Sequence, residues 1–266
     1  MDTLKYYLHA CRVLMKSHFQ YPASFCMQTL AQLIMCGGEM MAVLFLIDRF
    51  DALNQWSGGD LMIFYGVMSL TFYLTECLGR GITGSFPSLI RTGQLDVFLV
   101  RPRGLLTQVL CHEFDPRRLG CMAVGITAMA LGCRMNALQW NTLKVLALME
   151  AIPMGMLLIL GLFLIEAMFC IYSVKSVEFV NIFTYGGRSA CQYPIDIYPR
   201  PLRLLFMVAA PFGLTLHAPL SFILDKPLNG WPTGVLFLCP LAGAAFFLLM
   251  VLLFRCAMRH YRSTGS

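Results

Sequence analysis

The chain has 266 residues, 58% of them apolar and only 13% charged, with a net charge of +6 and a mean hydropathy of +0.68. Soluble domains average about 45–50% apolar and about 25% charged. Too few polar groups exist here to cover a water-soluble globule, and a disordered chain is excluded for the same reason. The composition is that of an integral membrane protein.

Residues 1–20 lack the apolar core and small-residue cleavage site of a signal peptide. Leu4, Tyr7, Leu8, Cys11, Leu14 and Met15 recur at helical spacing, with Lys5, His9, Arg12 and Lys16 on the other face. This predicts a basic amphipathic helix over 1–22 that lies on the inner leaflet and turns near Pro22.

A spanning helix needs roughly 20 mostly apolar residues. Uncharged stretches mark six candidates, at about 24–47, 60–82, 118–135, 145–170, 203–224 and 233–255. The third is short and is held between Arg117/Arg118 and Arg134. No long stretch alternates as a membrane barrel would, and backbone groups in lipid must pair within their own segment. The expected fold class is therefore an all-α polytopic membrane protein, with residues 23–266 forming a six-span domain.

Six spans put both termini on one side. Sixteen of the twenty Lys and Arg fall on that side, Arg188, Arg200 and Arg203 among them, which predicts cytoplasmic N and C termini. Trp56, Trp140 and Trp231 all fall in the expected outer turns, as an interfacial aromatic belt would. The basic residues are spread over four cytoplasmic segments, which argues against a nucleic-acid partner.

No G-x-x-x-x-G-K-[ST] loop, H-E-x-x-H, C-x-x-C or G-x-S-x-G occurs. The glycine-rich stretch 79–84 lacks the lysine of a phosphate loop and reads as a helix end. Eleven scattered cysteines, most of them inside spans, read as small hydrophobes. No catalytic residue and no metal site is expected. Ionised groups at mid-bilayer cost roughly 2.5–3.5 kcal/mol, so Glu39, Glu76, Glu166 and His217 stand out as intramembrane polar sites. Glu39 is the only deep carboxylate, Glu76 has Arg80 one turn later, and Glu150 and Glu166 mark the two ends of the fourth span. These groups keep open a stand-alone ion-coupled carrier or a membrane-embedded enzyme.

Segment 84–117 is too long for a simple turn. It mixes Leu95, Phe98 and Leu99 with Gln94, Asp96 and Arg101 before breaking at Pro102, as a short amphipathic helix offered to a soluble partner would. The string Arg-Thr-Gly-Gln-Leu-Asp-Val-Phe-Leu-Val-Arg-Pro over 91–102 resembles the G-x-[LI]-D-x-x-L-x-[RK]-P signature of ABC-2-type permeases, in a subgroup of bacterial efflux permeases. The run Ile197-Tyr198-Pro199-Arg200-Pro201-Leu202-Arg203, leading to Ala210-Pro211-Phe212 and Ala218-Pro219-Leu220, is similar to the same subgroup.

The resemblance implies a non-catalytic transmembrane subunit of an ATP-binding-cassette exporter in the bacterial inner membrane. This chain would hold no cofactor; ATP and Mg would sit on two copies of a partner ATPase. A second permease subunit, homologous or identical, would complete a path lined by spans 1, 2 and 5. The loop after span 2 would be the coupling element, with Gly93 at its turn and Pro102 at its end. Leu95, Phe98 and Leu99 would form the docking face, and Asp96 and Arg101 the polar contacts. Segment 173–203 would add a lesser cytoplasmic contact, and Pro219–Pro232 would hold re-entrant helices. The Met- and Phe-rich spans suggest an amphipathic or lipid-soluble small molecule, peptide or drug as cargo.

Overall fold

A computed structural model describes residues 3–49, 52–53, 55–172, 181–226 and 232–261. Helix α1 (Thr3–His18) turns into α2 (Pro22–Arg49), which leads to a two-stranded antiparallel hairpin of β1 (Ala52–Leu53) and β2 (Trp56–Ser57). Helix α3 (Gly58–Arg80) begins with a reciprocal cap. The Ser57 hydroxyl accepts the Asp60 N–H at 3.3 Å, and an Asp60 carboxylate oxygen accepts the Ser57 N–H at 2.7 Å. A π-helical turn at Gly81–Ser85 carries α3 into α4 (Phe86–Arg91), so one helix runs for 34 residues. Short helices α5 (Leu95–Val100) and α6 (Leu105–Leu110) follow, then α7 (Arg118–Met135) and α8 (Thr142–Tyr172). Broken helical pieces occupy 182–223, and Thr233–Leu238 and Leu241–Met258 complete the described chain.

The long helix through α3 is the mast of the bundle. Its apolar window is 83% buried, against 11% for α2. Helix α7 lies antiparallel along it at backbone contact. A methyl group on Gly66 would come within 2.6 Å of the Met129 nitrogen and 2.7 Å of the Gly125 carbonyl oxygen, and one on Gly132 within 2.6 Å of the Gly59 carbonyl oxygen. Hydrophobic burial drives no helix association inside lipid, so small residues that permit close van der Waals packing take over that role.

Four helices are long and apolar enough to cross a membrane: Pro22–Arg49, Gly58–Arg91, Thr142–Ile171 and Gly234–Met258. A fifth counts if the bent pair Arg200–Ala209 and Gly213–Ile223 is one span. Helix α7 forms over the expected residues, but 18 residues at 1.5 Å rise reach only about 27 Å, short of a hydrocarbon core of about 30 Å. The continuous span expected at 203–224 is instead bent by 85°. Ala210 there is extended (φ −127°, ψ 90°) because Pro211 disfavours helix before it and offers no N–H.

The expected cytoplasmic segment 173–203 is also corrected; its residues 173–180 lie outside the described ones. Tyr185 donates to Glu76 near the C-terminal end of α3 at 2.8 Å, and Arg188 to the Tyr73 hydroxyl at 2.9 Å. Asp196 meets His217 at 3.3 Å, and the His217 ring lies against Trp56 and Phe64 at the opposite end of α3. Residues 185–196 therefore climb the inside of the bundle. The bent pair starts beside Asp196, where Arg203 donates to the Asp196 carbonyl at 3.2 Å, and ends where Lys226 meets Asp60. Both limbs open at one end, with the vertex residue Phe212 inside against Gly187. The re-entrant fold thus begins before the expected Pro219–Pro232. Trp56, just before the first turn of α3, is buried against neighbouring side chains, and Trp231 lies outside the described residues.

Tyr7 donates to the Leu78 carbonyl at 2.8 Å and Tyr261 to an Asp96 carboxylate oxygen at 3.2 Å. Helix α1 and residue 261 therefore share the end of the bundle that carries α4 to α6. Replacing Gly66 or Gly125 by Ala should destabilise the detergent-solubilised protein by about 1–3 kcal/mol through overpacking. Gly37→Ala, where no atom lies within 4 Å, should not lower the melting temperature.

Candidate functional site

The motif segment hangs from the mast. Gly93 ends α4 with φ 69°, a left-handed conformation that L side chains rarely adopt, and its N–H bonds to the Ile90 carbonyl at 3.2 Å. The chain then turns into α5, whose faces separate sharply. Leu95 is fully buried and Phe98 nearly so, with the Phe98 ring edge-on to His112 at 5.5 Å and its carbonyl accepting from Gln108 at 2.9 Å. Val97, Leu99 and Val100 face outward, Val100 being 86% exposed. Of the expected docking face, Leu95 and Phe98 are structural and only Leu99 is available; Val97 and Val100 complete the exposed ridge. Asp96 bonds within the chain, to Tyr261. Arg101 lies over the Phe98 ring at 5.3 Å, and Arg101 and Pro102 are exposed at the end of α5.

Above this ridge lies a buried ion network. Glu76, only 1% exposed, meets Arg118 at 3.1 Å, Arg80 at 3.5 Å and the Tyr185 hydroxyl at 2.8 Å. Arg80 reaches on to Glu113 at 3.4 Å and Asp115 at 3.6 Å, and Asp115 holds Arg117 at 2.5 Å. Glu113 in turn accepts the Ser85 hydroxyl at 2.6 Å. The π turn fits this network closely: a methyl on Gly81 would strike the Val109 carbonyl oxygen at 2.0 Å, and one on Gly84 a Glu113 carboxylate oxygen at 2.6 Å. Burial alone would raise the Asp115 carboxyl, but Arg117, Arg118 and Arg80 outweigh it and hold that carboxyl below the usual range.

Deeper in the bundle, Arg188 donates to Glu39 on α2 at 2.5 and 3.3 Å and to Tyr73 on α3 at 2.9 Å. Its guanidinium lies over Phe72 and Tyr73 at 5.0 and 4.7 Å, and Cys36 donates to the Tyr73 hydroxyl at 3.0 Å. Arg188 is 6% exposed, and its Nε–H has no acceptor among the described residues. Counting arginines by loop puts this residue in the cytoplasm and so misses the partner of Glu39. An acidic residue in one apolar stretch and an arginine in another are the available signal.

The intramembrane polar residues do not converge on one centre. Glu76 belongs to the network at the α5 end of the bundle and Glu39 to Arg188, while His217 belongs to Asp196. Glu166 is buried on α8, and Glu150 lies beside Pro219 and Phe222. Among the described residues, no three His, Cys, Asp or Glu side chains gather as a metal site requires.

A family model described as "ABC-2 family transporter protein" matches residues 33–265. No curated protein and no solved structure matches the chain.

Arg118→Gln should destabilise the protein by about 3–5 kcal/mol, because Glu76 would keep its burial and lose its nearest cation; chemical unfolding in detergent measures it. Leu95→Ala should cost about 2–5 kcal/mol, and Val100→Asp almost nothing. Since the folded Asp115 carboxyl is held below its unfolded value, its contribution is complete above about pH 4. The difference in thermal stability between wild type and Asp115→Asn should be level from pH 7 to 5 and shrink as pH drops through the folded value.

Proposed function

The chain belongs to the ABC-2 transporter family, and from that we propose that it is a permease subunit whose movement is powered by a separate ATPase docking on α5. It is a multi-pass membrane protein of an ABC transporter. The observation that carries the docking assignment is the ridge of Val97, Leu99 and Val100, which nothing in the described chain covers, on a helix framed by Gly93 and Pro102. Exposed apolar side chains on a short helix outside the spans suit insertion into a groove of a soluble partner.

In this reading the ridge end is cytoplasmic, α1 lies on the inner leaflet, and the described residues 181–192 cross the bilayer beside α2 and α3. Two ATPases would bind ATP and Mg, and a second permease subunit would close the path in the inner membrane. The path would run past Glu39, Tyr73 and Arg188, which bring α2, α3 and the 182–191 segment together. The Arg188 Nε–H would face the cargo as an uncommitted donor on an aromatic shelf, which suits an amphipathic molecule. The arginines against Glu39 and Glu76 support structural roles for both, rather than proton coupling by a stand-alone carrier.

ATP binding would bring the two ATPases together and push α5. The continuous helix from α4 into α3 would carry that push to the mast and shift the balance between inward and outward states. Val100→Asp and Val97→Asp should each weaken copurification of the cognate ATPase by about tenfold or more, at unchanged melting temperature. Retention equal to wild type in both variants would remove α5 as the docking element.

A further inference from the structure

At the end of the bundle that carries α5, a cavity of about 240 Å³ opens where α1 meets α2. Ser17, His18 and Tyr21 line it from the elbow, Ser24 and Gln28 from the first turns of α2, and Arg117 from the approach to α7, with Phe25 completing the wall. No carboxylate lines it. Arg117 directs Nε to Asp115 and one terminal nitrogen to Gln28, and its other terminal nitrogen is uncommitted among the described residues. His18 donates its Nε2–H to the Phe114 carbonyl at 3.1 Å, which leaves Nδ1 as an acceptor. Ser24 accepts from Gln28 at 3.0 Å and keeps its own proton to donate. The cavity therefore presents a guanidinium and hydroxyl donors to whatever enters it.

An apolar stripe adjoins this polar hollow. On α2, Met27, Leu30 and Ile34 are 73%, 58% and 66% exposed at i, i+3 and i+7 spacing, a stripe that starts one helical turn beyond Ser24 and runs along α2 away from the elbow. A ligand matched to both features carries an anionic oxygen cluster at one end and hydrocarbon at the other. We propose that this cavity is a phospholipid site: a phosphodiester headgroup sits between Arg117 and Ser24, and its acyl chain lies on the Met27–Leu30–Ile34 stripe. A free phosphate would use the donors and leave the stripe without a role.

The test uses the full chain, purified in detergent and followed by native mass spectrometry. Three probes are compared: dioleoylphosphatidylglycerol, dioleoylglycerol (the same chains without phosphate) and inorganic phosphate as competitor. The wild type should retain one phosphatidylglycerol about tenfold more tightly than dioleoylglycerol, the worth of one charge-assisted hydrogen bond. Arg117→Gln should erase that preference, but it also disturbs Asp115. Ser24→Leu fills the cavity away from the ion network and should erase the preference at an unchanged melting temperature. Equal retention of both lipids by the wild type, or full retention of phosphatidylglycerol by Ser24→Leu, would overturn the proposal. Displacement of the lipid by millimolar phosphate would also overturn it, by making the cavity a free-anion site.

Discussion

Glu76 is the constraint around which the bundle is organised. A carboxylate buried to 1% exposure in an apolar helix bundle is tolerable only where cations and hydroxyls meet it. Its partners arrive from different elements: Arg80 from its own helix, Arg118 from the start of α7 and Tyr185 from the segment that climbs the bundle. None of these elements can drift away without costing the buried carboxylate one of its partners. The same arginines also hold Asp115, which fixes the loop between α6 and α7.

That anchoring gives the motif helix a stiff mounting. α5 hangs from a helix that continues through the π turn into the mast, and the turn's glycines let it press against the Val109 carbonyl and Glu113. π turns often mark functional positions in helices. A force on the exposed ridge would be borne by backbone and buried ion pairs rather than absorbed by a loose loop. Higher in the bundle, α2 buries little of itself, and its bond to Arg188 is a chief polar tie to the interior. The least buried long helix is thus joined to the core beside the residues proposed to line the path.

The motif segment is partly legible in the amino-acid order alone. Gly93 announces a turn and Pro102 a stop, and both mark the limits of α5 as they should. Which face of α5 points outward is not legible. In Leu-Asp-Val-Phe-Leu-Val only Asp96 is polar, and a six-residue helix that is apolar almost all round has no periodicity from which to choose a face. Asp96 itself turns toward Tyr261, at the far end of the chain, a pairing no local pattern encodes.

Composition and local rules by themselves determined that the chain is an α-helical membrane protein and located α2, α3, α7 and α8 to within a few residues. Those features depend on hydrophobic run length and on backbone hydrogen bonding inside one segment, which neighbouring residues settle. Tertiary structure alone decided that Arg188 lies inside the bundle against Glu39, that Trp56 is buried against Phe64 and His217, and that 200–223 folds back on itself. Each of these depends on which helices become neighbours and at what depth. Loop charge counts and apolar run lengths do not encode such neighbours, because a buried arginine or tryptophan is stabilised by partners distant in the chain.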